Sequence, residues 1–259
     1  MQASAPILEV RDVSKIFGGI RAVDGVSFDV HPGEIMGLIG PNGAGKTTTF
    51  NLVSGRFPLT AGEVRYEGRR ISGLRPDRIA KLGIARTFQG TRIFPQLSVA
   101  RNVETALLAG RKVGFWSDWF GLPAARAVQR EAGADVLSIL GFIGLSDFAD
   151  MQAGSLAYAH QSLLGIGLAL ALKPRLLLLD EPFAGMNPKE TERGSAMVRR
   201  IRETGVTVLL VEHDMAAVMG LCDRILVLDQ GKPIAQGRPE GIRSNRRVIE
   251  AYLGTDEDA

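Results

Sequence analysis

A glycine-rich segment that ends in lysine and threonine gives the clearest indication of chemistry in this chain. Residues Gly40–Thr47 read Gly-Pro-Asn-Gly-Ala-Gly-Lys-Thr, a complete phosphate-binding loop. Its glycines allow the backbone N–H groups to turn toward phosphate oxygens, and the positive end of a following helix strengthens that attraction. The segment therefore predicts a nucleoside triphosphate site, whose expected binding residues are Gly40, Pro41, Asn42, Gly43, Ala44, Gly45, Lys46, Thr47 and Thr48.

Two side chains of this loop have separate predicted roles. We expect Lys46 to reach the β- and γ-phosphates and Thr47 to offer its hydroxyl to Mg²⁺. The flanks agree with this interpretation, because Glu34–Ile39 is short and apolar like a buried parallel strand and Thr48–Val53 is typical of a helix start. A glycine-rich turn without chemistry is the alternative, and this context disfavours it.

Paired carboxylates follow a second apolar segment. Leu176–Leu179 precedes Asp180 and Glu181, and in an open parallel sheet ligands bind outside the carboxyl ends of the strands. We expect Asp180 to contribute to nucleotide binding by orienting the Mg²⁺ shell, and Glu181 to polarise the attacking water or accept its proton. An acidic strand exit that caps a helix is the alternative.

Two further polar residues end apolar segments. His213 follows the segment Val206–Val211, and its imidazole can bond a γ-phosphate and the attacking water. Gln89 follows a shorter apolar segment and carries an amide oxygen for Mg²⁺ or water. The predicted catalytic residues are Glu181, His213, Lys46 and Gln89, and the predicted metal ligands are Thr47, Gln89 and Asp180.

The elements that hold these residues follow an α/β pattern. Ile7–Val13 and Ala22–Val30 alternate between apolar and polar residues, as antiparallel strands do. Helical apolar spacing prevails from Val99 to about Leu156, and apolar strands separated by helical stretches return after it. We therefore predict a parallel sheet covered by helices, with an antiparallel N-terminal part and a helical insertion.

The composition limits the class of protein. With 259 residues, 45% hydrophobic and 23% charged, the chain can bury a substantial core. A formal charge of +3 permits contact with an anionic membrane but does not indicate nucleic-acid binding. Cys222, the single cysteine, is expected to be a buried structural thiol.

Targeting signals are not recognisable. Met1–Pro6 does not read as a secretory leader, and the most apolar run, Leu163–Leu172, is too short to span a bilayer. We expect a soluble, cytoplasmic protein.

The order of these motifs resembles the nucleotide-binding subunit of ABC transporters over the whole chain. That family places a ring that stacks on adenine at the position of Phe17, which without the family is equally a core candidate. The resemblance implies an α/β fold with a P-loop NTPase (RecA-like) core, residues 1–89 and 166–259. It also implies an N-terminal antiparallel β-subdomain within that core and an inserted α-helical subdomain, residues 90–165.

Several segments narrow the resemblance to importers of branched-chain amino acids, with urea and amide importers as an open alternative. The segments are Phe17–Val23, Asp180–Glu190, Glu212–Met215 and Val248–Gly254. The resemblance implies ATP hydrolysis with Mg²⁺ by two ATP-binding subunits, identical or different, beneath two membrane permease subunits. It further implies a substrate-binding protein outside the membrane, a peripheral location on the inner face of the cell membrane, and no nucleic-acid partner.

One segment departs from the family pattern. Leu156–His160 reads Leu-Ala-Tyr-Ala-His where the family signature has glycine fourth and glutamine fifth. Because that signature donates backbone N–H groups to the partner subunit's ATP, we expect Ala159 not to accept a glycine-type φ/ψ and to weaken that site. A nucleotide-binding regulatory module with impaired hydrolysis therefore stays open. A soluble ATPase acting on nucleic acid or ribosomes is disfavoured by the single phosphate-binding loop.

Lys46→Ala should abolish tight ATP binding, because it removes the positive charge expected beside the β- and γ-phosphates. We expect titration with fluorescent ATP to show a loss of at least about tenfold, or about 1.4 kcal/mol. An affinity that stays within about twofold of the wild-type value would contradict the assignment of this loop.

Overall fold

The computed structural model describes residues 5–87, 93–110 and 123–253. The strands are β1 Leu8–Phe17, β2 Ile20–Val30, β3 Ile35–Ile39, β4 Ala61–Tyr66, β5 Arg69–Arg70, β6 Ile84–Arg86, β7 Leu176–Asp180, β8 Thr207–Val211, β9 Arg224–Asp229 and β10 Lys232–Gly237. The helices are α1 Lys46–Val53, α2 Pro76–Ala80, α3 Val99–Gly110, α4 Pro123–Ile143, α5 Tyr158–Ala171, α6 Pro188–Glu203, α7 Met215–Leu221, α8 Pro239–Arg243 and α9 Arg246–Leu253. Short 3₁₀ turns lie at Ser146–Phe148 and Ala153–Ser155.

The strand before the phosphate-binding loop lies inside a six-stranded sheet. The strand order is β10-β9-β3-β8-β7-β6, and every pair except β10 with β9 is parallel. All residues of β3, β7 and β8 are buried, as expected for parallel strands covered on both faces. This explains why these strands read as continuous apolar runs without alternation.

The register of β7 against β8 brings two predicted site residues to one edge. Asp180 at the end of β7 lies opposite Val211 at the end of β8. Glu181 and His213 therefore leave neighbouring strands within two residues of the same level. The backbone N–H of Glu181 continues the pairing by donating to the carbonyl of Val211 at 2.9 Å.

A second sheet is antiparallel, as the sequence predicts for the N-terminal part. Its strand order is β2-β1-β4-β5. Both strands are longer than the alternating segments Ile7–Val13 and Ala22–Val30: β1 continues to Phe17, and β2 begins at Ile20. The Gly18-Gly19 turn, where both residues have positive φ, joins them.

Contacts divide the chain into two compact units. One comprises 1–86, 175–181 and 198–259, and the other comprises 87–174 and 182–197. The first holds both sheets. The second holds α3, α4 and α5, which pack against one another, and it includes Pro182–Met197, which the sequence-based bounds had left in the core. Those bounds, 90–165 for the insertion, stay a prediction.

Helices α4 and α5 approach each other closely at Gly167. Gly167 is buried on α5, and a Cβ placed there would lie 2.6 Å from the Ile143 Cδ1 atom. A side chain at this position would therefore require the Ile143 side chain to shift.

Two sequence-based expectations concern exposure to solvent and membrane. Cys222 is buried, and this burial raises the pKa of its thiol to about 12, so it is a structural residue. No helix in the part of the chain that the structure describes combines the length and apolarity needed to cross a membrane.

Leu140 and Leu137 on α4 form a matched pair for testing the core of the helical unit. Leu140 is 0% exposed and Leu137 is 66% exposed. Leu140→Ala should lower the free energy of unfolding by about 2–5 kcal/mol, because a cavity remains in a packed interior. Leu137→Ala should change it by less than about 0.5 kcal/mol. Urea denaturation measures both, and equal losses would contradict this packing.

Candidate functional site

The phosphate-binding loop has a backbone conformation that requires glycine. Gly43 and Gly45 have φ of 82° and 95°, in the left-handed region that other residues rarely adopt. A Cβ on Gly45 would also lie 2.5 Å from the carbonyl oxygen of Ala22. The helix α1 starts at Lys46 without a side-chain cap. The first turn of α1 thus presents N–H groups to the loop's interior, as a phosphate site requires.

A cavity of about 200 Å³ lies against this loop. The structure brings Glu181 and His213 to it together with the loop. Its lining residues are Ala22, Asn42, Gly43, Ala44, Gly45, Lys46, Thr47, Thr48, Glu181 and His213. Ala22 is the lining residue that was not predicted from the sequence, since it contributes through its position on β2.

Lys46 is held against the carbonyls of its own loop. Its Nζ donates to the carbonyl oxygens of Gly40 at 2.7 Å and Pro41 at 2.8 Å, and the residue is 5% exposed. Burial lowers the pKa of Lys46, and the negative charge of Glu181 opposes that shift. The ammonium is therefore positioned within the cradle where phosphate charge is expected.

Glu181 and His213 are in direct contact. The His213 Nε2 and Glu181 Oε1 atoms are 2.7 Å apart. Glu181 has a φ of 49°, and a non-glycine residue held in that region is a strained feature that clusters at functional sites. Asp214 caps α7 by accepting from the N–H of Ala217 at 3.0 Å, which fixes the chain directly after His213. The predicted base and its histidine thus form one polar pair beside the loop.

Asp180 lies at the end of β7 and is buried. Arg86 Nη2 donates to Asp180 Oδ2 at 2.7 Å, with side-chain exposures of 6% and 1%. The sequence-based interpretation missed Arg86. The signal that could have found it is a charged residue in the short apolar segment Ile84–Arg86, because a buried strand carries a charge only when it is paired.

The residues that the sequence assigns to Mg²⁺ are oxygen donors of the kind that this ion prefers. Thr47 lines the cavity, and Asp180 ends β7 directly before Glu181, so the donor set is compatible with Mg²⁺ beside a bound phosphate. Gln89 lies outside the described residues, and its role stays a prediction.

Phe17 is half exposed at the end of β1. Its ring packs edge-on against Phe57 with centroids 5.3 Å apart, and the Lys15 Nζ lies 4.9 Å from its centroid. It is not among the residues that line the described cavity. Stacking on adenine therefore stays a prediction.

The segment that departs from the family signature forms an ordinary helix start. Ala159 lies in the first turn of α5 and has a negative φ. The expectation that this position needs a glycine-type backbone is therefore wrong. His160 packs on Phe148, with ring centroids 4.7 Å apart, and Gln161 Nε2 donates to the carbonyl of Leu156 at 2.9 Å. His160, one of the two residues that depart from the family signature, is thus packed within the helical unit.

Comparisons with known proteins agree on one family. The profile of the family described as "ABC transporter" matches residues 23–184, and that described as "Branched-chain amino acid ATP-binding cassette transporter" matches residues 232–258. The chain is 44% identical over 252 residues to the high-affinity branched-chain amino acid transport ATP-binding protein BraF of Pseudomonas aeruginosa, covering 97% of this chain and 99% of that protein.

Solved structures give the same result. A nucleotide-free ATP-binding cassette from an ABC transporter is similar with a TM-score of 0.83 and 30% identity, covering 97% of this chain and 100% of that one. A dimeric bacterial ABC transporter cassette is similar with a TM-score of 0.77 and 25% identity, covering 90% of this chain and 98% of that one.

Restoring the family signature by Ala159→Gly with His160→Gln should not raise ATPase activity, since Ala159 already has a helical backbone. It should lower stability, by about 0.5–1 kcal/mol for glycine in a helix and about 0.5–1.5 kcal/mol for the lost ring contact. ATPase rates and urea denaturation of the wild type and the double variant check this. Higher activity at unchanged stability would show that the native segment impairs catalysis.

Proposed function

We propose that this chain, which belongs to the ABC transporter family, hydrolyses ATP to power an importer of branched-chain amino acids. The observation that carries the proposal is the cavity that joins the phosphate-binding loop to the Glu181–His213 pair. The solute class is supported by the names of BraF and of the family matched by residues 232–258.

Phosphate binding would use the backbone and Lys46. The N–H groups of the loop and of the first turn of α1 would bind the phosphate oxygens. The Lys46 ammonium, which donates to Gly40 and Pro41, lies close enough to the cradle to add a bond to phosphate. Mg²⁺, held through Thr47 and Asp180, would neutralise charge on the phosphates.

Hydrolysis would use Glu181 as the base. A water oxygen attacks the γ-phosphorus, the bond from that phosphorus to the β–γ bridging oxygen breaks, and a water proton passes to the Glu181 carboxylate. His213 contacts Glu181 Oε1 at 2.7 Å, so it would hold that carboxylate in place while its position at the cavity allows contact with the γ-phosphate.

Assembly with other subunits belongs to the same proposal. The dimeric cassette that this chain resembles supports pairing with a second ATP-binding subunit, identical or different. The pair would bind permease subunits at the inner face of the cell membrane, and an external binding protein would deliver the amino acid. A urea or amide importer of the same branch is the alternative. The solute that the assembled complex transports distinguishes the two.

Glu181→Gln tests the proposal, because the amide keeps the shape of the side chain but cannot accept the proton. In the complex reconstituted into vesicles with its permease and binding protein, we expect leucine uptake and ATP hydrolysis to fall at least about 10²-fold. ATP binding should be retained.

Glu192→Gln is the matched control, since it makes the same change at an exposed position on α6 and should leave uptake unchanged. Undiminished turnover in Glu181→Gln would remove Glu181 from the role of base. Uptake of urea but not of leucine by the wild-type complex would overturn the solute class.

A further inference from the structure

Arg86 makes several hydrogen bonds in the region behind Asp180. It ends β6, at the edge of the six-stranded sheet. Its Nη2 donates to Asp180 Oδ2 at 2.7 Å, and its Nη1 donates to Asn51 Oδ1 at 2.8 Å and to Ser54 Oγ at 2.7 Å. The guanidinium carbon also lies 5.6 Å from the centroid of the Phe50 ring. One buried cation thus joins a strand end to a helix.

The sheet register explains why Arg86 reaches Asp180. Arg86 pairs with Leu178 in the parallel ladder of β6 and β7. Asp180 is two residues beyond Leu178 and points to the same face, because side chains alternate along a strand. The pairing of these two strands therefore sets the distance between the guanidinium and the carboxylate.

The other two contacts connect Arg86 to the helix that starts with the phosphate-binding lysine. Asn51 lies on α1 and Ser54 is its C-terminal cap residue. Their oxygens are three residues apart and so lie on one side of the helix. Arg86 fixes the carboxylate of Asp180 relative to α1, and hence relative to Thr47 in its first turn.

The chemistry of the guanidinium suits this task. It is planar, carries several donors in a fixed arrangement and remains charged when buried. A lysine ammonium is a point charge on a flexible stem and cannot reproduce this fork. Burial of Asp180 without a partner would be strongly unfavourable, because a buried carboxylate must be compensated.

We propose that Arg86 is a positioning residue for metal binding. Its guanidinium group would hold the Asp180 carboxylate where that carboxylate can contact Mg²⁺ bound at Thr47. This inference rests on the proposed function, since the role of Asp180 toward Mg²⁺ comes from it. Residues that orient metal ligands change metal affinity by about 10–100-fold when they are replaced, which sets the size of the expected effect.

The test measures how the binding of fluorescent ATP to the full-length subunit depends on Mg²⁺ concentration. Arg86→Met should raise the Mg²⁺ concentration at half-saturation at least about tenfold, while nucleotide affinity in EDTA stays within about twofold. Arg86→Lys should also raise it, because one ammonium does not replace the fork. If Arg86→Met does not fold, Arg86→Lys carries the test.

Arg224→Met is the matched control. Arg224 Nη1 lies 3.2 Å from Glu34 Oε1 in another partly buried ion pair, at the opposite, amino-terminal ends of β9 and β3. Its loss should lower stability without changing the Mg²⁺ dependence. Equal shifts in the Arg86 and Arg224 variants would show that Arg86 is merely structural and would overturn the proposal.

Asp180→Asn distinguishes a failure of the role proposed for Arg86 from a failure of the role proposed for Asp180. Combined with Arg86→Met, it should raise the Mg²⁺ requirement no further than Asp180→Asn alone, because Arg86 acts through Asp180. Additive shifts would overturn the role of Arg86 and leave that of Asp180 intact. No shift in Asp180→Asn alone would instead overturn the assignment of Asp180 to Mg²⁺, and the inference with it.

Discussion

Parallel pairing of three short buried strands is the constraint on which the site depends. β3, β7 and β8 are buried at every residue and pair side by side. Apolar side chains make this arrangement stable, and the parallel direction sends all three carboxyl ends to one edge. The phosphate-binding loop, Glu181 and His213 follow these ends, so the packing of leucine and valine residues determines where the polar groups meet.

Backbone conformation then sets how the residues that the sheet brings together are oriented. The left-handed φ of Gly43 and Gly45 turns the loop around its cavity, and the carbonyl of Ala22 leaves no room for a side chain at Gly45. Glu181 adopts a left-handed φ without being glycine. This unfavourable conformation is maintained by pairing to Val211 and by contact with His213. The Glu181–His213 pair is thus held at the ends of β7 and β8.

The sequence predicts that the phosphate-binding loop, Glu181 and His213 lie together, as they do at the cavity, because its signals are local. A complete phosphate-binding loop has few alternatives, and polar residues after apolar strands collect at one edge in any parallel sheet. Arg86 escaped prediction because it bonds to Asp180, 94 positions away, and only the strand order reveals that β6 neighbours β7. At Ala159 the expectation was wrong for a local reason. It relied on a departure from a family pattern, whereas the backbone at this position is helical. The position of Phe17 relative to adenine depends on the nucleotide, so the sequence and the protein contacts do not determine it.

We expect nucleotide phosphates to occupy the cradle of Gly40–Thr47 beside Glu181 and His213. A crystal structure of this protein with Mg²⁺ and ADP is the decisive measurement. In it, the β-phosphate should receive backbone N–H groups of Gly43, Gly45 and Lys46, and the Lys46 Nζ should contact a phosphate oxygen. A nucleotide bound elsewhere, or one whose phosphates lie outside this loop, would contradict it.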